Sequence, residues 1–219
     1  MNFRKKPLVG LAQTVFAISA VCAMTAVQAR TVISEVLYDA AGTDNGNVFV
    51  ELFGTPGTLL DGLLLEGVNG TDGSVYRSVP LAGTIPADGF FVIGDDNGDG
   101  SSLVRHTDLV AEIDFQNGPD SIVLRGVAGV LDALGYGDFS TAIFAGEGSP
   151  APDAASGNSL ARFNPLFDSD NNLGDFLVLD LPTPGTVPVS AVPVPPAVLL
   201  FLSGIAGLAG IGRRAVHGY

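Results

Sequence analysis

The chain has 219 residues, with 23 Asp and Glu against 10 Lys and Arg, one cysteine, two histidines and no tryptophan. A formal net charge of −13 argues against direct contact with phosphate backbones, and a lone cysteine excludes a disulfide framework. So few cysteines and histidines also exclude an ordinary structural zinc site.

The chain opens on Arg4, Lys5 and Lys6, followed by an apolar run over 8–24 and small residues around Val27 and Ala29. That order predicts a signal peptide over 1–29, cut by signal peptidase between Ala29 and Arg30. A lipoprotein signal at Cys22 is disfavoured, because branched Val21 stands where that signal needs a small residue. Export would then leave a mature chain without cysteine, with neither disulfide nor thiol nucleophile. All 23 acids fall between Glu35 and Asp180, accompanied by only Arg30, Arg77, Arg105, Arg125 and Arg162, so the exported part carries −18 and no lysine. Such charge keeps a chain rich in Gly, Val and Leu soluble, and repels acidic polysaccharide unless a cation bridges the two.

From 30 to 186 the length suits one domain with one core. Short apolar runs alternating with period two are separated by Gly, Asp, Asn and Pro at intervals of about ten residues, which predicts antiparallel strands in an all-β sandwich. The runs lie at 31–38, 48–53, 60–66, 75–79, 90–94, 109–115, 121–125 and 130–136, with further candidates at 159–163 and 176–179. Leu52 and Val123 are expected on inward faces. Helix is expected to be minor, since no capped 3.6-residue apolar period occurs. Small residues, prolines and acids over 145–157 predict a long exposed loop. A Pro/Thr/Val composition begins at Leu181, and residues 187–191 are read as an extended linker.

The chain ends on Val192, Pro193, Val194, Pro195 and Pro196, an uncharged apolar segment over 197–212, then Arg213 and Arg214. Prolines fit the first turn of a helix, and the sixteen apolar residues would span roughly 24 Å of a ~30 Å hydrocarbon core. Basic residues beside the apolar segments at both ends predict that both ends face the cytoplasm, with everything between them across the membrane. A proline motif, a Gly-rich apolar helix and an arginine pair in this order resemble the PEP-CTERM sorting signal of Gram-negative bacteria, with Val-Pro-Val-Pro-Pro where the name would have Pro-Glu-Pro. The resemblance implies an exosortase as processing partner, cleavage near the proline motif, an inner-membrane intermediate, and delivery to the cell surface or extracellular matrix.

A second resemblance runs through the domain. Val-Ile-Ser-Glu-Val-Leu-Tyr-Asp (32–39), Asp-Asn-Gly-Asn (44–47) leading into Val-Glu-Leu (50–52), and Leu-x-Gly-x-x-Leu-Glu (60–66) open it. Ile-Pro-Ala-Asp-Gly-Phe-Phe-Val-Ile-Gly-Asp (85–95), Gln-Asn-Gly-Pro-Asp-Ser-Ile-Val-Leu (116–124) and Ala-Leu-Gly-Tyr-Gly (133–137) come next. Gly-x-Ser-Leu-Ala-Arg (157–162), Asp-x-Asp-Asn-Asn (168–172), Asp175-Phe176 and Pro-Thr-Pro-Gly (182–185) close it. In that order these motifs resemble the lamin tail domain. Phe49 and Leu63 stand at two positions where bacterial members usually carry tryptophan, an exchange conservative for packing. The resemblance implies an immunoglobulin-like β-sandwich and no enzymatic activity.

The residues offer no catalytic constellation either. His106 is the one histidine of the domain, no Gly-x-Ser-x-Gly elbow accompanies it, and it is read as a loop residue. Asp95, Asn97, Asp99 and Gly100 match the first half of a calcium loop, but His106 stands at the position of the bidentate Glu. Asp168, Asp170, Asn172 and Asp175 repeat the alternation with Leu173 in place of the turn glycine. Both loops are also good solvated turns, so no catalytic, metal or cofactor residue is assigned. The sequence leads to an exported, non-catalytic surface or matrix protein, with exopolysaccharide or other surface proteins as candidate partners and no nucleic acid. Its alternatives are a calcium-dependent adhesion module binding acidic exopolysaccharide and a hydrolase using a metal and carboxylates.

Overall fold

The computed structural model describes residues 30–187. The expectations for the signal peptide, the linker beyond Val187, and the tail with Val192 to Pro196, Arg213 and Arg214 lie outside these residues.

The described residues form ten strands and one helical turn: β1 Val32–Leu37, β2 Phe49–Phe53, β3 Leu64–Asn69, β4 Val75–Pro80, β5 Phe90–Asp95, β6 Thr107–Ala111, β7 Asp120–Gly126, β8 Gly129–Tyr136, β9 Ser159–Arg162, α1 Asn172–Asp175 and β10 Phe176–Leu179. They make two sheets, ordered β10-β9-β1-β2-β5-β6 and β4-β3-β7-β8. The domain is therefore an all-β sandwich, as the period-two alternation predicts. Its core lies between the sheets, where Val50 and Leu52 of β2 and Phe91 and Ile93 of β5 meet Leu65 of β3 and Ile122 and Leu124 of β7. Tyr38 and Tyr136 stack within it, ring centroids 4.3 Å apart.

Several boundaries differ from the expectation. β3 begins at Leu64 rather than Leu60, since Leu60 is buried within a turn that hands its amide to Gly83. β6 covers Thr107–Ala111 and pairs parallel to β5, against the expected antiparallel order. Residues 96–106 therefore form a crossover rather than a hairpin loop. Val123 is buried, but not between the sheets. It points outward from β7 and packs with Val68, Ala133 and Ala145, because its neighbours Ile122 and Leu124 take the inward positions. The 145–157 loop is not wholly exposed, since Ala151 and Ala154 are buried and the Ala154 amide donates to the Tyr38 hydroxyl at 2.6 Å.

One irregularity of β1 carries a charged side chain to the outside of the sandwich. The register of β1 against β2 shifts between Ile33 and Glu35, and such an extra residue reverses the alternation locally. Ile33 and Val36 thus both reach the core, while Glu35 turns to the outer face directly opposite Glu51. The outer face of the six-stranded sheet is covered in two ways. At one end the crossover lays Val104 on Leu37, Val48, Phe49 and Val92. Over β1 and β2 the chain after β10 returns as a strap.

Candidate functional site

Two carboxylate assemblies lie within the described residues, both centred on buried acids. The first is the strap site. Glu35 and Glu51 are each 0% exposed in the middle of largely apolar strands. Glu35 Oε1 accepts the Ser159 hydroxyl at 2.6 Å and the Thr183 amide at 2.8 Å, while its Oε2 accepts the Thr183 hydroxyl at 2.6 Å. Glu51 Oε1 accepts the Ser34 hydroxyl and its Oε2 the Gly185 amide, both at 2.6 Å. The strap turns on itself, the Thr186 amide donating to the Thr183 carbonyl at 3.0 Å. Burial pushes Glu51 up to about 8, against the pull of Ser34 and Gly185, and Glu35 and Asp88 add to the rise. Burial also raises Glu35, with the Ser159 and Thr183 donors opposing it.

Gly185 closes the strap in a left-handed conformation, φ +76°, where a Cβ would lie 2.6 Å from the Cβ of His106. Only glycine suits both the φ and the contact. His106, itself at φ 60°, sits in a loop as expected, and its place is beneath the strap. Residues 181–186, whose composition reads as spacer, are thus bound to the sheet by the Pro-Thr-Pro-Gly turn.

The second assembly is centred on Arg162, which is 0% exposed. Its Nη2 donates to both oxygens of Asp132 at 3.1 Å. Nη1 reaches Asp175 at 2.9 Å and Asp168 at 3.1 Å, and Nε donates to the Ile33 carbonyl at 3.1 Å. The guanidinium also lies 4.6 Å from the centroid of the Phe176 ring. Arg30, expected as the first mature residue, caps the cluster from outside by pairing with Asp168, with Glu147 at 3.6 Å and with Asp170 at 3.4 Å. Burial raises Asp132, with Arg162 opposing. Burial and the neighbouring Asp132 and Asp168 push Glu147 up to about 8. Burial works against ionisation at Asp175, yet the Ser169 donors and Arg162 hold it below the usual carboxylate range.

One oxygen each from Asp132, Glu147 and Asp168 lies within 4.8 Å of the others, a spacing that suits a hard cation. This is not the set the sequence suggested. Of the second candidate loop only Asp168 belongs to it, because Asn172 Oδ1 accepts the Gly135 and Glu147 amides and Asp175 serves Arg162 and Ser169. In the first loop, both Asp95 oxygens accept backbone amides, from Gly46 at 2.9 Å and Ile113 at 3.0 Å. Asp96 caps Gly98 and Gly100, and Asp99 caps Ser101. Asp95 thus ties the end of β5 to Gly46 and Ile113, while Asp96 and Asp99 shape turns within the crossover itself.

Sequence reasoning missed Glu35, Glu51, Asp132 and Arg162 as partners. The available signal was a charge at the centre of an apolar run, Ser-Glu-Val in β1 and Val-Glu-Leu in β2, where an ion must be paired to be buried.

Comparison with known proteins leaves these residues as the basis for any assignment: no family model matches the chain, and no curated protein matches it.

Proposed function

We propose that this is an exported bacterial protein whose lamin-tail-like, immunoglobulin-like sandwich serves as a non-catalytic binding or structural module at the cell surface or in the extracellular matrix. Signal peptidase cuts between Ala29 and Arg30, and an exosortase acts at the Val192 to Pro196 motif ahead of the apolar segment and Arg213-Arg214. The observation carrying the non-catalytic reading is how the acids are spent. Glu35 and Glu51 are filled by donors from the strap and its neighbouring hydroxyls, and Asp132, Asp168 and Asp175 converge on one buried guanidinium. A hydrolase working through a carboxylate pair needs two carboxyls of different pKa facing a substrate, whereas these face the protein.

The test is intact-mass analysis of the protein recovered from the producing cell's surface. Mature material beginning at Arg30 and lacking Arg213 and Arg214 is expected, whereas surface material that retains the apolar tail refutes the sorting reading. A calcium-dependent adhesion module is the second reading, favoured by the convergence of Asp132, Glu147 and Asp168. A rise in melting temperature with added calcium that magnesium does not reproduce selects it.

A further inference from the structure

We propose that residues 183–185 are a proton-operated latch on the domain's C-terminal exit, closed while the Glu35–Glu51 pair holds a proton and released when both carboxylates ionise. The geometry carries it. The two glutamates are direct partners across the β1–β2 ladder, which puts their Cβ atoms about 4.5–5.5 Å apart. Both are fully buried, and two like charges that close in a dry site cannot both form cheaply.

One proton fits without loss of any strap bond. Of the five donors that reach the pair, the Thr183 and Gly185 amides can only donate, while the Ser34, Ser159 and Thr183 hydroxyls can also accept. A proton on Glu51 Oε1 can be given to the Ser34 oxygen along their 2.6 Å bond, which leaves Oε2 free for the Gly185 amide. When that proton leaves, two negative charges face each other under the strap. Admitting water is the available relief, and the strap stands in its way. Among the described residues no cation forms an ion pair with either glutamate. Asp88, ahead of β5, adds a further negative charge, and Asp180, at the start of the strap, accepts from Asn158. β9 and the strap itself contribute only hydroxyls and amides there, and His106 packs on the Gly185 backbone. The raised values of Glu51 and Glu35 agree with a shared proton at neutral pH.

Release would free residues 181–186, lengthening the tether by about 20 Å at roughly 3.3 Å per residue. That consequence rests on the proposed sorting of the tail, but the latch does not. The experiment reads the strap alone, so retention of the tail by mass would defeat the sorting reading and leave this result standing.

Amide exchange of the full chain in detergent micelles, corrected for intrinsic rates, is compared between pH 6 and pH 9. Protection at Thr183 and Gly185 is expected to fall at least tenfold more than protection at Leu124 in the core, which follows global stability. In Glu51→Gln the strap amides are expected to stay protected throughout. Equal protection at both pH values, or the same fall in Glu51→Gln, overturns the proposal. Should that variant not fold, the side-chain carboxyl resonance of Glu51 in the unsubstituted chain decides: a midpoint above pH 7 supports the latch and one below pH 7 overturns it.

Discussion

Replacing Arg162 by Met keeps most of the volume of its stem and removes the charge from the centre of the second carboxylate assembly. The lost contacts are four hydrogen bonds to the carboxylates of Asp132, Asp168 and Asp175, one to the Ile33 carbonyl, and the approach to Phe176. Charge-assisted bonds contribute about 1.5–3 kcal/mol each, but dehydrating the ions offsets several kcal/mol of that. The larger cost is what remains, because Asp132 and Asp175 stay buried at 0% and 1% exposure with no cation of their own. Removing one partner of a buried pair typically costs about 3–5 kcal/mol, a large share of a total stability of about 5–15 kcal/mol. Arg162→Met is therefore expected to lose about 3–5 kcal/mol in urea unfolding at pH 7. The deficit should narrow towards pH 5, where protonation neutralises the stranded acids. Adding Asp132→Asn to the same chain should recover part of the loss. A deficit below about 1 kcal/mol, or one that grows as pH falls, would refute the account of Arg162 as the charge that permits this burial.

Leu52→Asp, at 0% exposure between the sheets, should abolish folding by circular dichroism, whereas Val123→Asp, on the outer face beneath Ala145, should leave a folded but weakened domain. Glu51 has a folded value near 8 against roughly 4.3 unfolded, so the native state binds the extra proton. Its contribution is full below about pH 4.3 and is lost as pH rises through 8, with a limiting slope of about 1.4 kcal/mol per pH unit; chemical denaturation from pH 5 to 8.5 should show this fall, and Glu51→Gln should flatten it. Gly185→Ala meets both the positive φ and the His106 Cβ, and should lower stability by about 1–3 kcal/mol in thermal unfolding.

The sandwich was legible because its strands alternate cleanly. Val50 and Leu52, or Ile122 and Leu124, mark a core face with no knowledge of their partners. The parallel β5–β6 pair was not legible, since direction depends on where the crossover lands, and Leu103 reaches the Gly46 carbonyl at 2.9 Å, far away in sequence. Val123 reads as core because sequence shows that a face is apolar, not whether a sheet or a loop covers it. The candidate sites were hidden for a related reason. Asp168 and Asp175 were noticed as turn acids, but the counter-charge that changes their role is Arg162, placed there by β9. Glu35 reaches the outer face only through the break in register after Ile33, which single-residue patterns do not reveal.

The position of β1 in the larger sheet bears on how the protein is made. β1 is the first strand of the described residues in chain order, yet it sits between β2 and β9, and Glu35 binds Thr183 across 148 residues of sequence. Until β9 arrives, one side of Val32–Leu37 is an open, mostly apolar edge, the kind of surface that recruits other chains. Contacts this distant in sequence also form slowly. A chain interrupted before residue 159 would thus expose its central strand, and completion of the sheet must wait for nearly the whole domain to be synthesised. The excess of 23 acids over five arginines in this domain keeps such incomplete chains apart.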